Sequence, residues 1–366
     1  MPPTAPAEPV LYRADLETPA PDEAEVAGEI ARQMGKVAGT VFKDTGHAER
    51  GVHAKSHGLL RGELRVLDGL PRSLAQGLFA RPGTYPVILR LSTNPGDVLD
   101  DAVSTPRGLA LKVVGVAGER LPDAPGENQD FVLANAPAFS AGTPAAFLKS
   151  LKLLAATTDT PQALKKAVSA VMRGAEAALE AVGGHSATLL SLGGQPRTHI
   201  LGETFYTQVP VRYGDHVAKL QVRPASPELR GLAGAPLDLG AHPDALRRAV
   251  AAFFADREAA WDLCVQLNTS LDTMPIEDAS VAWPEAESPY VPVARITVRP
   301  QESWTEESHR RIDDRMAFNP WHGLAVHRPL GAIMRVRRSV YAQSARFRAE
   351  ANGVAITEPD RAGAAP

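Results

Sequence analysis

The strongest constraint on this chain is how its β-prone runs are punctuated. GLLRGELRVLD, TYPVILRLST, PRGLALKVVGV and QDFVLANA follow one another from Gly58 onward, separated by Pro, Gly and Asp. Short runs bounded in this way read as antiparallel strands. A second batch comes later. THILGETFYTQVPVRYG and DHVAKLQVRP flank a Tyr-Gly-Asp turn, the signal of a hairpin, and WDLCVQLNT and VPVARITVRP follow. The strand-helix-strand alternation of a dinucleotide-binding sheet is absent. Two batches of short antiparallel strands around one core, with helices inserted and appended, predict an α+β antiparallel barrel.

The helices are predicted from apolar spacing and from their ends. One runs from about Ala24 to Val41, after an acidic start. A second runs from about Pro144 to Val182, broken near Asp159-Thr160-Pro161, and HPDALRRAVAAFFADREA is strongly amphipathic. The last two are expected from about Ser303 to Met316 and from about Gly331 to Glu350. The chain thus divides into an extended Pro- and Ala-rich arm (1–22), a barrel domain with its helices (23–350) and a tail (351–366) whose EPDRAGAAP ending reads as disordered.

Composition removes several classes of function. The 39 basic and 42 acidic residues nearly cancel, which argues against a dedicated nucleic-acid binder. A single cysteine, Cys264, excludes an intramolecular disulfide framework and a Cys-rich metal site. No run approaches the ~20 apolar residues that cross a bilayer. The N-terminus lacks the charge and apolar core of a signal peptide, so a cytoplasmic location is expected.

GxGxxG, P-loop, HExxH and GxSxG signatures are absent. His53 and His57 are four apart, but they precede a strand and lack a third ligand, which speaks against a metal clamp. Near the C-terminus, RVRRSVYAQSARFR places Arg337 and Tyr341 one turn apart on a helix. A guanidinium beside a buried phenol favours the phenolate. Moving a phenol from about 10 to about 7 takes roughly 4 kcal/mol, more than one arginine supplies; an arginine with a ferric ion could supply it. On this segment alone, Tyr341 as a core residue beside a solvated arginine face stays open.

The remaining motifs bear on that choice. Arg50-Gly51-Val52-His53-Ala54-Lys55, Arg90-Leu91-Ser92-Thr93, Pro106-Arg107-Gly108-Leu109-Ala110-Leu111-Lys112, Gly126-Glu127-Asn128 and Arg337-x-x-x-Tyr341 occur in that order. Together they resemble the haem-binding catalase superfamily over roughly Gly46 to Arg348, and imply a barrel of the catalase type. The resemblance implies haem b as cofactor, with Tyr341 as proximal ligand to the iron and Arg337 holding it as phenolate. It makes His53 the distal acid/base, Asn128 its polar partner and Ser92 the hydrogen-bond partner of the imidazole. Arg50, Arg90 and Arg348 become partners of the haem propionates, and Val52 lies beside the distal histidine against the haem. The apolar barrel interior is the expected seat of the group.

The departures from long catalases also matter. The chain ends about 25 residues after Tyr341 and its N-terminal arm is short, so weaker interlocking of subunits is expected, and a homodimer is compatible with it. Where that family has consecutive phenylalanines, Phe131-Val132-Leu133 stand here, with Phe139 further on. The runs Phe318-Asn319-Pro320-Trp321-His322-Gly323 and His327-Arg328-Pro329-Leu330-Gly331 resemble the short, catalase-related haem peroxidases. The resemblance thus implies reduction of organic hydroperoxides through an oxo-ferryl state, with small electron donors as partners and weak hydrogen peroxide dismutation. A minimal true catalase and a non-catalytic haem or lipid carrier are the alternatives.

Overall fold

A computed structural model describes residues 8–156 and 194–360. Nine strands form one sheet: β1 (Ser56–Val66), β2 (Thr84–Thr93), β3 (Arg107–Val114), β4 (Asn128–Ala134), β5 (Phe205–Tyr206), β6 (Val211–Tyr213), β7 (His216–Pro224), β8 (Ala259–Leu267) and β9 (Val291–Val298). Their order is β5-β4-β3-β2-β1-β9-β8-β7-β6, and β5 also pairs with β7. That extra pairing closes eight strands into an antiparallel barrel, with β6 beside β5 on the same edge of β7. Closure removes the open edges that a sheet of this size would expose. The expected barrel is present.

Alternation along the strands sets what the barrel contains. Leu89 and Leu91 of β2, Leu109 and Leu111 of β3, and Phe131 and Leu133 of β4 belong to one buried apolar cluster with Leu220, Leu263 and Ile296 from the far side. A period of two then turns Arg90, Ser92, Gly108, Ala110, Lys112, Asp130 and Val132 to the outer face. The predicted hairpin forms at Tyr213↔His216, and Gly214 supplies the positive φ (63°) that its tight turn needs.

Four helices matter to the site: α1 (Glu23–Thr45), α2 (Pro144–Ala156), α3 (Ala245–Phe254) and α4 (Ala332–Asn352). α4 lies against α1, and Val336 and Val340 pack with Ile30 and Met34. The expected break near Asp159-Thr160-Pro161 and the helix beyond it lie outside the described residues. The helix expected from Ser303 to Met316 is reduced to one α-turn (Glu306–Ser308) followed by a π-helical turn (His309–Asp314). Among the described residues, no helix is long and apolar enough to cross a membrane.

The tail corrects its sequence reading as far as residue 360. Glu358 returns to the outer face of the barrel and ion-pairs with Lys112, which also donates to both oxygens of Asp130 at 2.7 and 2.9 Å. Lys112 and Asp130 are fully buried, and burial raises the Asp130 pKa. Removing the ammonium leaves two carboxylates without their counter-ion. Lys112→Met is therefore expected to cost about 3–5 kcal/mol in urea unfolding; a loss below about 1 kcal/mol would mean that water replaces the ammonium.

Candidate active site

The turn that leads into β1 carries His53 with φ 55°, a left-handed conformation that non-glycine residues rarely adopt. Its N–H donates to the Asn94 carbonyl (2.7 Å), and the Ala54 N–H to that of Pro95 (3.0 Å). Lys55 anchors the turn from inside: buried, it donates to Asp101 and to the carbonyls of Leu99 and Pro243. With its backbone held, His53 places Nδ1 3.1 Å from the Ser92 hydroxyl oxygen. A Cβ on Gly108 would lie 2.5 Å from His53 Cε1 and 2.6 Å from Nδ1. Only glycine at 108 leaves room for the ring in this pose. His57 is buried elsewhere, with Nε2 3.1 Å from the Thr93 hydroxyl, so the two histidines do not converge.

His53 faces a cavity of about 240 Å³ on the outer face of the barrel, between β2–β4 and α4. This corrects the expected seat: the barrel interior is filled by its own apolar side chains. Val52, Leu109, Ala110, Val132 and Leu133 give the cavity an apolar wall, and Phe318 and Trp321 line it from the loop before α4. Tyr341 reaches it from α4. Burial, then the charges of Arg90, Arg337 and Arg50, push the His53 pKa down to about 3. The imidazole is neutral at physiological pH, and with Nδ1 on Ser92 its Nε2 is the nitrogen left for chemistry.

Three further lining residues are arginines that share few counter-ions. Arg90 Nε ion-pairs with Asp313, and its Nη2 donates to the Ala54 carbonyl (3.0 Å). Arg50 donates to the carbonyls of Ile312, Asp313 and Met316, and Arg348 to that of Met316. Arg50 Nε lies 3.5 Å from Asp313 Oδ1 and has no hydrogen-bond partner. Burial raises a carboxyl, yet Arg90, His309 and Arg50 hold Asp313 well below the usual range. Burial, with Arg348 and Arg90 adding repulsion, depresses the Arg50 pKa. Asp313 is the carboxylate that ion-pairs with Arg50 and Arg90, while Asp314 and Glu49 lie near Arg348; three guanidiniums at a cavity wall suit a ligand that brings negative charge.

The cavity thus unites seven of the residues singled out in the sequence: Arg50, Val52, His53, Arg90, Ser92, Tyr341 and Arg348. Arg337 stands behind this wall, its guanidinium 4.6 Å over the Phe139 ring and close enough to Tyr341 for the two charges to interact. Asn128 does not line the cavity. It lies opposite Val114 at the start of β4, and its amide donates to Glu358 (3.1 Å). Sequence reasoning passed over Asp313, because an acidic pair after two arginines looks like a solvated helix face. Asn319 and His322, which also line the cavity, sit in a motif that had no assigned role.

No protein-family model matches the sequence, and no curated protein matches it. Solved structures share its fold. A fungal catalase superposes with a TM-score of 0.59 at 19% identity, over 84% of this chain and 60% of its own. Catalase A from Saccharomyces cerevisiae gives 0.58 at 19% identity, over 84% and 62%. The fold is that of the catalases. A bacterial catalase gives 0.60 at 18% identity, over 97% of this chain and 66% of its own. The chain thus spans 60–66% of the length of these catalases. At such identity the catalase likeness speaks for the barrel and its helices, and the chemistry has to be argued from the side chains.

Proposed function

We propose that this cavity holds haem b and that the protein is a haem-dependent peroxidase of organic hydroperoxides. One observation carries the reading: a neutral, clamped His53 and the phenol of Tyr341 line a single apolar cavity that is rimmed by Arg50, Arg90 and Arg348. Those residues fit the group. Tyr341 would hold the iron, with the Arg337 guanidinium behind it, and the three arginines would pair with the propionates. Bound haem supplies a redox-active iron at which a peroxide O–O bond is broken.

The rest of the mechanism belongs to the chain. His53 Nε2 takes the proton of the hydroperoxide and returns it to the departing oxygen, which needs a neutral base that can become an acid. Ser92 holds the ring, its hydroxyl oxygen 3.1 Å from Nδ1, so that Nε2 faces the substrate. Because burial keeps the imidazole neutral down to about pH 3, kcat/KM should show no inflection near pH 6.5 and stay level from pH 8 to pH 5. A fall centred on pH 6.5 would show an ordinary solvated histidine.

The substrate class follows from the wall. Val132 lines the cavity where long catalases carry a phenylalanine, while the Phe131 ring packs inside the barrel. Alkyl or aryl groups gain roughly 0.8 kcal/mol per buried CH₂ from such a wall, an advantage closed to hydrogen peroxide. The test compares kcat/KM for cumene hydroperoxide and hydrogen peroxide with one electron donor, alongside oxygen release without donor. A preference for cumene hydroperoxide is expected. Vigorous oxygen release with negligible organic turnover would establish the minimal catalase instead, and bound haem without either turnover a carrier.

A further inference from the structure

Next to the arginine cluster, joined to it through Asp313, two histidines and a carboxylate converge. α1 ends at Thr45 and Gly46 caps it, so the chain turns back and brings His47 against the end of α4. Asn352 holds that turn from both sides, accepting from the Ala48 N–H (2.8 Å) and donating to the Ala48 carbonyl (3.0 Å). From the opposite direction comes the π-helical turn His309–Asp314. Its wider winding sets His309, Asp313 and Asp314 on one side, and single π-turns are frequent at functional sites. One ligand atom from each of His47, His309 and Asp314 lies within 4.8 Å of the other two.

We propose that His47, His309 and Asp314 form a binding site for a divalent transition metal of the zinc type. The donor set is the first argument. Two imidazoles and one carboxylate are typical ligands of Zn²⁺, and three protein ligands leave a fourth position for water. The His47 side chain is 37% exposed and Asp314 is buried, so solvent reaches the site at His47.

Geometry is the second argument. Ligand bonds of about 2.0–2.1 Å place tetrahedral donors roughly 3.3 Å apart. His47 Nε2 and Asp314 Oδ1 are already 2.9 Å apart, sharing a proton where a metal would sit. The pair needs to open by a few tenths of an ångström, and His309, whose ligand atom is no more than 4.8 Å from either, to close in. The two rings stand 6.3 Å apart and tilted by 43°, so neither blocks the other.

The surroundings supply the third argument. His309 Nδ1 lies 2.8 Å from Asp313 Oδ2, which fixes the tautomer and leaves Nε2 with the lone pair. A carboxylate behind a ligating imidazole is the usual support of a zinc histidine. Here the same Asp313 also receives Arg90, so the proposed site is joined to the cavity wall through one carboxylate. The proposal concerns metal binding alone and does not depend on what the cavity holds.

The test uses the full chain, as purified and freed of metal by chelation, titrated with Zn²⁺ in a calorimeter. One saturable site per chain is expected. His47→Ala and Asp314→Asn should each weaken it at least tenfold, and Asp313→Asn about 10- to 100-fold. Circular dichroism of the metal-free variants checks that each is folded. X-ray absorption at the zinc edge of the parent protein gives a readout free of any variant, and two imidazoles in the first shell are expected. No saturable binding, equal affinity in the parent and folded His47→Ala, or a first shell with fewer than two imidazoles would each overturn the proposal.

Discussion

Tyr341→Phe should purify as a folded protein whose Soret band is much weaker than that of the parent and shifted. The exchange removes one hydroxyl oxygen and nothing else. α4 is held by Ile333, Met334, Val336 and Val340, all buried, and none of these contacts involves the phenol. The fold should therefore survive, with a circular dichroism spectrum and melting temperature close to those of the parent. The iron would lose its one proximal oxygen donor. Arg50, Arg90 and Arg348 would still attract the propionates, so some haem should bind weakly and with a changed spin state. Absorption spectra of parent and variant, each expressed with ample haem, decide the matter. An unchanged Soret band at equal haem content would remove Tyr341 as ligand, and a colourless parent would remove haem.

The barrel was legible because its strands follow local rules. TYPVILRLST is β2 to the residue, and the Tyr-Gly-Asp turn forms as the hairpin chemistry demands. The long run THILGETFYTQVPVRYG was not a strand throughout. Ile200–Gly202 is a 3₁₀ turn, Gln208 has φ 63° and Pro210 cannot donate to a ladder, so only Phe205–Tyr206 and Val211–Tyr213 pair. Helical periodicity likewise could not show that His309–Asp314 winds as a π-turn. That winding depends on partners distant in sequence: Arg90 and Ser56 for Asp313, His47 for Asp314.

The cavity was legible where one motif held both the backbone and the side chains that line it. Arg50 to Lys55 is such a motif, since Lys55 anchors the turn that aims His53. Asn128 shows the opposite case. The β3–β4 register pairs Ala110 with Val132 at the cavity but Val114 with Asn128, four residues earlier at the start of β4. At about 3.3 Å per residue, Asn128 lies roughly 13 Å from Val132 along the strand. A motif read along the chain carries no register, so it could not reveal that separation. The resemblance made Asn128 the polar partner of His53, and without that pairing the case against a passive carrier rests on His53 itself. What remains is stronger than composition alone. A strained, neutral histidine clamped on Ser92 is costly to keep, and a passive carrier needs neither the strain nor the clamp.

His53→Ala should keep both fold and haem and lose about 10²- to 10⁴-fold in kcat/KM for cumene hydroperoxide, the range expected for one positioned acid–base group. The backbone of residue 53 is held by Asn94 and its neighbour by Pro95, so the turn does not depend on the ring. Alanine tolerates φ 55° less well than glycine, and His53→Gly serves as the control that separates strain from chemistry. Gly108→Ala probes the same group without touching it. Its Cβ would stand 2.5 Å from His53 Cε1, so the ring must leave Ser92 and the proton can no longer be passed at the same point. A loss of about tenfold or more is expected there, with an unchanged Soret band. If both His53→Ala and Gly108→Ala turned over cumene hydroperoxide at the parental rate, the proton would be moving through another group. The candidate on the same wall is His322, whose buried Nδ1 has no hydrogen-bond partner and whose pKa is pushed down to about 3 by burial and by Lys112 and Arg120.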